Sequence, residues 1–143
     1  MKKISQRSAY LHCDRQQAFR IIIDNRMLKC WLAADAEVEP LIGGKYKMFW
    51  VPDDRENNRT PGCRVTAIET DRFLAFEWKS PEQFKNFVNQ ADPLTNVVIF
   101  FTATAVHLLH SGWRGTEEWE AARQCQGKAW ELAFREFKEL VIM

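Results

Sequence analysis

Residues 116–143 read TEEWEAARQCQGKAWELAFREFKELVIM, and their spacing decides what the rest of the chain must be. The Thr116 hydroxyl is placed to cap a helix by accepting a bond from a free N–H of the first turn. Glu117 and Glu118 follow, where negative charge suits the positive end of the helix dipole. No proline interrupts the stretch. Trp119, Ala122, Gln126, Trp130, Ala133, Phe137 and Leu140 recur at steps of three and four, which is one face of a helix. Phe134 and Val141 widen that face, while Arg123, Lys128, Glu131, Glu136, Lys138 and Glu139 fall mostly opposite. Such a helix draws most of its stability from burying its apolar face. The preceding chain must therefore supply an apolar surface of similar length.

Working back from the helix, the chain reads as strands. Residues 106–111 form one strand, and residues 97–105 a nearly continuous apolar run that reads as a strand covered on both faces. Residues 80–96 are a long connection in which Phe84, Phe87 and Val88 form a covering turn. Residues 73–79 alternate, with Leu74, Phe76 and Trp78 opposing Glu77 and Lys79. Residues 63–69 are a further strand. Residues 45–51 set Tyr46, Met48 and Trp50 against Lys45 and Lys47. The Gly43-Gly44 pair before them is a turn signal, because glycine takes positive φ without penalty. Residues 37–39 are a short strand stopped by Pro40.

Upstream, residues 14–23 and about 26–32 form two short helices. Asp14 caps the first with Gln17 in the capping-box position, and Asp24-Asn25 separates the pair. Residues 3–12 are a first strand. The order predicts an α+β fold: strand, two short helices, about six antiparallel strands, and one long helix lying across the buried face of the sheet.

Composition narrows the function. The chain has 143 residues and a net charge of +1, the size of one domain without the basic balance of a nucleic-acid binder. Nothing reaches the ~20 apolar residues of a membrane span, and no apolar segment follows Lys2 and Lys3 as in a signal peptide. A cytoplasmic protein is expected. Cys13, Cys30, Cys63 and Cys125 are scattered and expected to stay as reduced thiols. Six Trp and ten Phe are many for one domain, and each Trp N–H wants a partner.

In this order the pieces carry a resemblance. They are Ala18-Phe19, Trp31-Leu32, Gly43-Gly44-Lys45-Tyr46 and Val65-Thr66-Ala67-Ile68-Glu69. Asp71-Arg72-Phe73-Leu74-Ala75-Phe76-Glu77-Trp78, His110-Ser111-Gly112-Trp113 and Trp130 complete the set. Together they resemble the START-related helix-grip superfamily (SRPBCC), in the branch related to the C-terminal domain of the Hsp90 ATPase activator Aha1. The resemblance covers nearly the whole chain. It implies a curved seven-stranded antiparallel sheet gripping the long helix, with an apolar cavity between them. It also implies ligands such as lipids or flavonoid-like molecules. One departure is the turn between the last two strands, where Thr102-Ala103-Thr104-Ala105 runs almost straight on.

The residues place a ligand site in the same location. Met48, Trp50, Phe76, Trp78 and Phe100 on strands, with Trp119, Trp130 and Phe134 on the helix, would converge between sheet and helix as the aromatic lining of a pocket. Arg123, His110, Glu77 and Thr102 are the polar groups available to orient a guest, although Arg123 also suits a surface pair with Glu120. Trp113 is placed at the rim. His107 and His110 fall on opposite faces of one strand, so neither a metal nor a cofactor is expected. No nucleophile motif of the G-x-S-x-G kind occurs, so ligand binding ranks above catalysis in the same cavity. The third reading is protein contact. The resemblance brings in Hsp90, and Phe49 with Ile68 would form an outer apolar patch for a partner or for a homodimer.

Overall fold

The structure is a computed structural model that describes residues 3–49, 63–79 and 88–141. The elements run β1 (Ser5–Tyr10), α1 (Arg15–Ile23), α2 (Asn25–Trp31), β2 (Asp35–Val38), β3 (Tyr46–Phe49), β4 (Val65–Glu69) and β5 (Phe73–Trp78). A short 3₁₀ turn (Val88–Gln90), β6 (Thr95–Phe101), β7 (Ala105–Ser111) and α3 (Glu117–Val141) complete the order. This is the α+β arrangement expected: an antiparallel sheet, two short helices after the first strand and one long helix. Trp50, Phe84 and Phe87 lie outside the described residues.

Five strands pair antiparallel in the order β1-β7-β6-β5-β4, and β2 pairs with β3. The hairpin meets the larger sheet at one seam. The Gly43 N–H donates to the Val65 carbonyl and the Val65 N–H to the Gly44 carbonyl, both at 2.9 Å. Lys45 and Arg64 form a single bridge beside them. The seven strands therefore form a five-stranded and a two-stranded ladder stitched at this turn. Glycine is required there on two counts. Gly43 has a φ of +82°, and a Cβ on Gly44 would lie 2.3 Å from the Glu39 carbonyl oxygen.

The helix boundaries follow the caps. The Asp14 carboxylate accepts from the Gln17 N–H at 2.8 Å. Asp24 serves two helices: its N–H donates to the Arg20 carbonyl at the end of α1, and its carboxylate accepts from the Arg26 N–H at the start of α2. The Thr116 hydroxyl accepts from the Trp119 N–H, as the opening stretch predicts.

Two strand expectations need correction. The run at 97–105 is not one strand. It ends at Phe101, and Thr102 to Thr104 turn the chain, closed by the Thr102 N–H donating to the Ala105 carbonyl. Small Ala and Thr residues hide this tight hairpin inside an apolar run. In β4 the register shifts between Val65 and Ala67, a bulge that turns Ile68 toward the core. Phe49 is buried and Ile68 is partly buried against the core, so these two residues do not form an outer apolar patch.

The core lies where sheet and helix meet. Trp119, Ala122, Gln126, Trp130, Phe134 and Phe137 are the buried positions of α3. Facing them are Leu74, Phe76 and Trp78 of β5, Val97 and Ile99 of β6, and Val106, Leu108 and His110 of β7. The short helices close one end of this layer. Trp31 sets its ring edge-on to Phe137 at 5.0 Å and donates its indole N–H to the Ile21 carbonyl at 3.0 Å. The Tyr46 hydroxyl donates to the Ile22 carbonyl.

The face assignment predicts an asymmetry along α3. Phe137→Ala should lower the free energy of unfolding by about 3–5 kcal/mol, the usual cost of emptying a buried aromatic site. Leu132→Ser, at a position 59% exposed, should change it by no more than about 0.5 kcal/mol. Urea unfolding of both variants checks this, and similar losses would mean the face is misassigned.

Candidate functional site

His110 is the polar group at the centre of the sheet–helix layer. It is the sixth residue of β7, and strand alternation turns it inward with Val106 and Leu108 while His107 faces out. The Trp130 indole N–H, from α3, donates to His110 Nδ1 at 3.0 Å. Indole is a donor only, so Nδ1 must carry the lone pair and the proton sits on Nε2. The Trp113 ring packs beside the imidazole at 4.5 Å and its N–H donates to the His110 carbonyl at 3.1 Å. Complete burial pushes the imidazole pKa down to about 3. Among the described residues Nε2 has no hydrogen-bond partner.

Of the apolar and aromatic residues expected here, Trp50 lies outside the described residues and two others fall elsewhere. Met48, Phe76, Trp78, Trp130 and Phe134 are all buried. Tyr46 stacks on Phe76 at 3.9 Å, and Phe76 sits 5.8 Å from Trp78. Trp78 in turn lies 4.9 Å from Trp130, and Phe134 stacks on Phe137 at 5.5 Å. Tyr46, Phe76, Trp78 and Trp130 thus form one chain of ring contacts, and Phe134 belongs to a second with Phe137 and Trp31. Phe100 is the first exception. The register that turns Val97, Ile99 and Phe101 inward turns it outward, where it stacks on His107. Trp119 is the second: it belongs to a smaller cluster with Val88, Trp113 and Ala122.

The remaining polar expectations are placed as follows. Arg123 grips Glu120 with two hydrogen bonds, at 2.9 and 2.6 Å, which holds the Glu120 carboxyl down at about 2. Lys3 joins the pair at 3.3 Å. Glu77 accepts from the Arg64 N–H, and Thr102 sits in the β6–β7 turn. Trp113 is not at the rim but fully buried. Its indole is pinned by the His110 carbonyl, an interaction between neighbours that alternation alone does not reveal.

Sequence reasoning missed Ser5, Arg7 and, as a site residue, Gln126. Ser5 pairs directly with His110 across β1 and β7, and its buried hydroxyl has no hydrogen-bond partner among the described residues. Arg7 faces the same way two residues on. Its Nη2 donates to the Gly127 carbonyl at 3.0 Å, while its buried Nε has no acceptor among the described residues. The alternation of β1 sets Ser5, Arg7 and Ala9 on the face opposite Ile4 and Tyr10. They are 57% and 76% exposed.

Two clefts flank this layer. A cleft of about 220 Å³ lies over Trp113 and is lined by Lys3, Arg114, Glu117, Glu120 and Arg123. A larger one of about 560 Å³ runs past Tyr10, His12, His107 and Lys138. Among the described residues there is no metal-binding cluster and no helix long and apolar enough to cross a membrane.

The comparisons with known proteins agree with this architecture. A family model described as Activator of Hsp90 ATPase homolog 1-like protein matches residues 12–141. No curated protein matches the chain. Among solved structures, a protein from Mesorhizobium loti is similar with a TM-score of 0.74 at 16% identity, covering 96% of each chain. The Aha1 dimer from Colwellia psychrerythraea also gives 0.74, at 14% identity over 99% of this chain and 97% of that one. An HSP90 activator from Plasmodium falciparum gives 0.69, at 15% identity over 96% and 94%. At these identities the likeness establishes the fold alone.

The buried imidazole makes stability depend on pH. The folded pKa is about 3 against an ordinary 6.5, so the unfolded chain takes up a proton that the folded one refuses. Stability from this residue is full above the unfolded value and is lost as pH falls toward 3. Between pH 7 and pH 5 the loss should be about 2 kcal/mol. His110→Gln should remove that share, which urea unfolding at the two pH values measures. An unchanged slope would show that His110 titrates normally.

Proposed function

This chain belongs to the Activator of Hsp90 ATPase homolog 1-like family, and from that premise we propose that it binds a small apolar or amphipathic molecule between the sheet and α3. The observation that carries this reading is the Trp78–Trp130 pair, buried with rings 4.9 Å apart and ending at a neutral histidine with an unused donor. An aromatic wall with a few polar groups at one end suits an amphipathic guest. The rings fill the space between themselves, so a guest enters by separating them. Burial of the guest drives this, at about 25 cal/mol per Å² of apolar area before the costs of association.

A second reading is contact with Hsp90. It is favoured by the family description and by the similarity to an HSP90 activator from Plasmodium falciparum. The exposed Leu41 and Ile42, adjacent in the β2–β3 connection, would contribute to such a contact.

Native mass spectrometry of the purified chain, followed by tryptophan fluorescence with fatty acids and flavonoids, tests the first reading. A co-purified mass or saturable quenching by one class is expected, and Trp130→Phe should shift that quenching curve. A bare protein mass with no saturable response from either class contradicts it. Stimulation of Hsp90 ATPase turnover by the chain would then favour the second.

A further inference from the structure

Three buried donors on β1 and β7 face the sheet–helix layer without a hydrogen-bond partner among the described residues. β1 runs alongside the helix: Lys3 reaches Glu120, and Arg7 reaches the carbonyl of Gly127. Ser5 lies between these two along the strand and directly opposite His110, whose ring is bonded to Trp130. The Ser5 hydroxyl, Arg7 Nε and His110 Nε2 therefore bracket the helical turns from Arg123 to Trp130. Gln126, a buried polar residue, occupies that face. All three atoms lack a hydrogen-bond partner among the described residues.

Unmade hydrogen bonds in a protein interior are rare and costly. Three of them together is a local deficit of acceptors. No hydrogen bond among the described residues relieves it. His110 cannot exchange donor for acceptor, because Trp130 fixes its proton on Nε2. The Arg7 guanidinium is satisfied only by the carbonyls of Gln6 and Gly127, and its cation meets no carboxylate among the described residues.

The geometry points to a seat for a carboxylate, formed by Ser5, Arg7 and His110. The ligand is then an amphipathic acid, with its apolar body against Trp78 and Trp130 and its carboxylate beside Arg7. A carboxylate only accepts hydrogen bonds and offers about four lone-pair positions, which matches three donors and one cation. The cleft over Trp113 is the route of entry in this reading, and Lys3, Arg114 and Arg123 stand around it. Trp113 forms its floor and contacts His110 from the side of that opening.

This inference rests on the sheet–helix binding reading, and the test separates the two. Decanoate and 1-decanol have the same apolar body and differ in the head. Tryptophan fluorescence titrations at pH 7.5 should show decanoate binding the wild-type chain at least about tenfold more tightly. Arg7→Met and Ser5→Ala should each weaken decanoate and leave 1-decanol within about twofold. Ser5→Ala removes only a hydroxyl, so it keeps the test valid if Arg7→Met unfolds. The His110 Nε2 proton resonance should also move on adding decanoate. Equal affinity for the two probes, unchanged by either variant, would overturn the carboxylate seat and leave apolar binding standing. Failure of both probes to bind the wild-type chain would overturn both.

Discussion

The hydrogen bond from the Trp130 indole to His110 Nδ1 is the constraint on which the rest depends. It joins the middle of α3 to the inner face of β7 within a largely apolar layer. A buried indole N–H without an acceptor and a buried imidazole without a donor would both be costly. One bond satisfies both, and it sets the position of the helix along the sheet. It also fixes the protonation of the imidazole. A histidine that accepts from indole and is fully buried has no stable charged form, which is why its pKa falls to about 3.

From that bond the polar features of the layer follow in order. With Nδ1 committed, Nε2 can only donate. Strand pairing sets Ser5 opposite, and the next inward position on β1 is Arg7. Arg7 spends one end of its guanidinium on the Gly127 carbonyl, which ties the edge strand to the helix. Its Nη1 donates to the Gln6 carbonyl, and only the buried Nε is left without a partner among the described residues. A fold optimised for stability alone would place apolar side chains here; sites built for a guest commonly depart from that rule. The aromatic wall of Tyr46, Phe76, Trp78 and Trp130 is what allows the departure, because its buried area outweighs a few unmade hydrogen bonds.

What could be read in advance divides along physical lines. The helix is legible because its apolar positions repeat at a period that only a helix uses, and that spacing puts each buried residue from Trp119 to Phe137 on one face. The caps at Asp14 and Thr116 and the Gly43-Gly44 turn were legible because they satisfy local backbone needs. Face assignment in strands was less secure, since period-two alternation has no internal check. One bulge reverses Ile68, and an unrecognised hairpin at residues 102–104 obscured the parity of Phe100. On β1 the large side chains Ile4 and Tyr10 face outward while Ser5 and Arg7 face in, against ordinary hydrophobic bias. The polar half of the site was hidden by that inversion. His110 was identifiable as a candidate, but its fixed tautomer depends on a partner twenty residues away.

Nitrogen-15 NMR of the His110 ring, followed from pH 7.5 down to about pH 4.5, tests the central constraint most directly. The account predicts one tautomer throughout, with the proton on Nε2, an unprotonated Nδ1, and a scalar or through-space connection from Nδ1 to the Trp130 indole proton. Conversion to imidazolium near the ordinary pKa of about 6.5, or a proton residing on Nδ1, would contradict it and would dissolve both the helix–sheet lock and the donor cluster built on it.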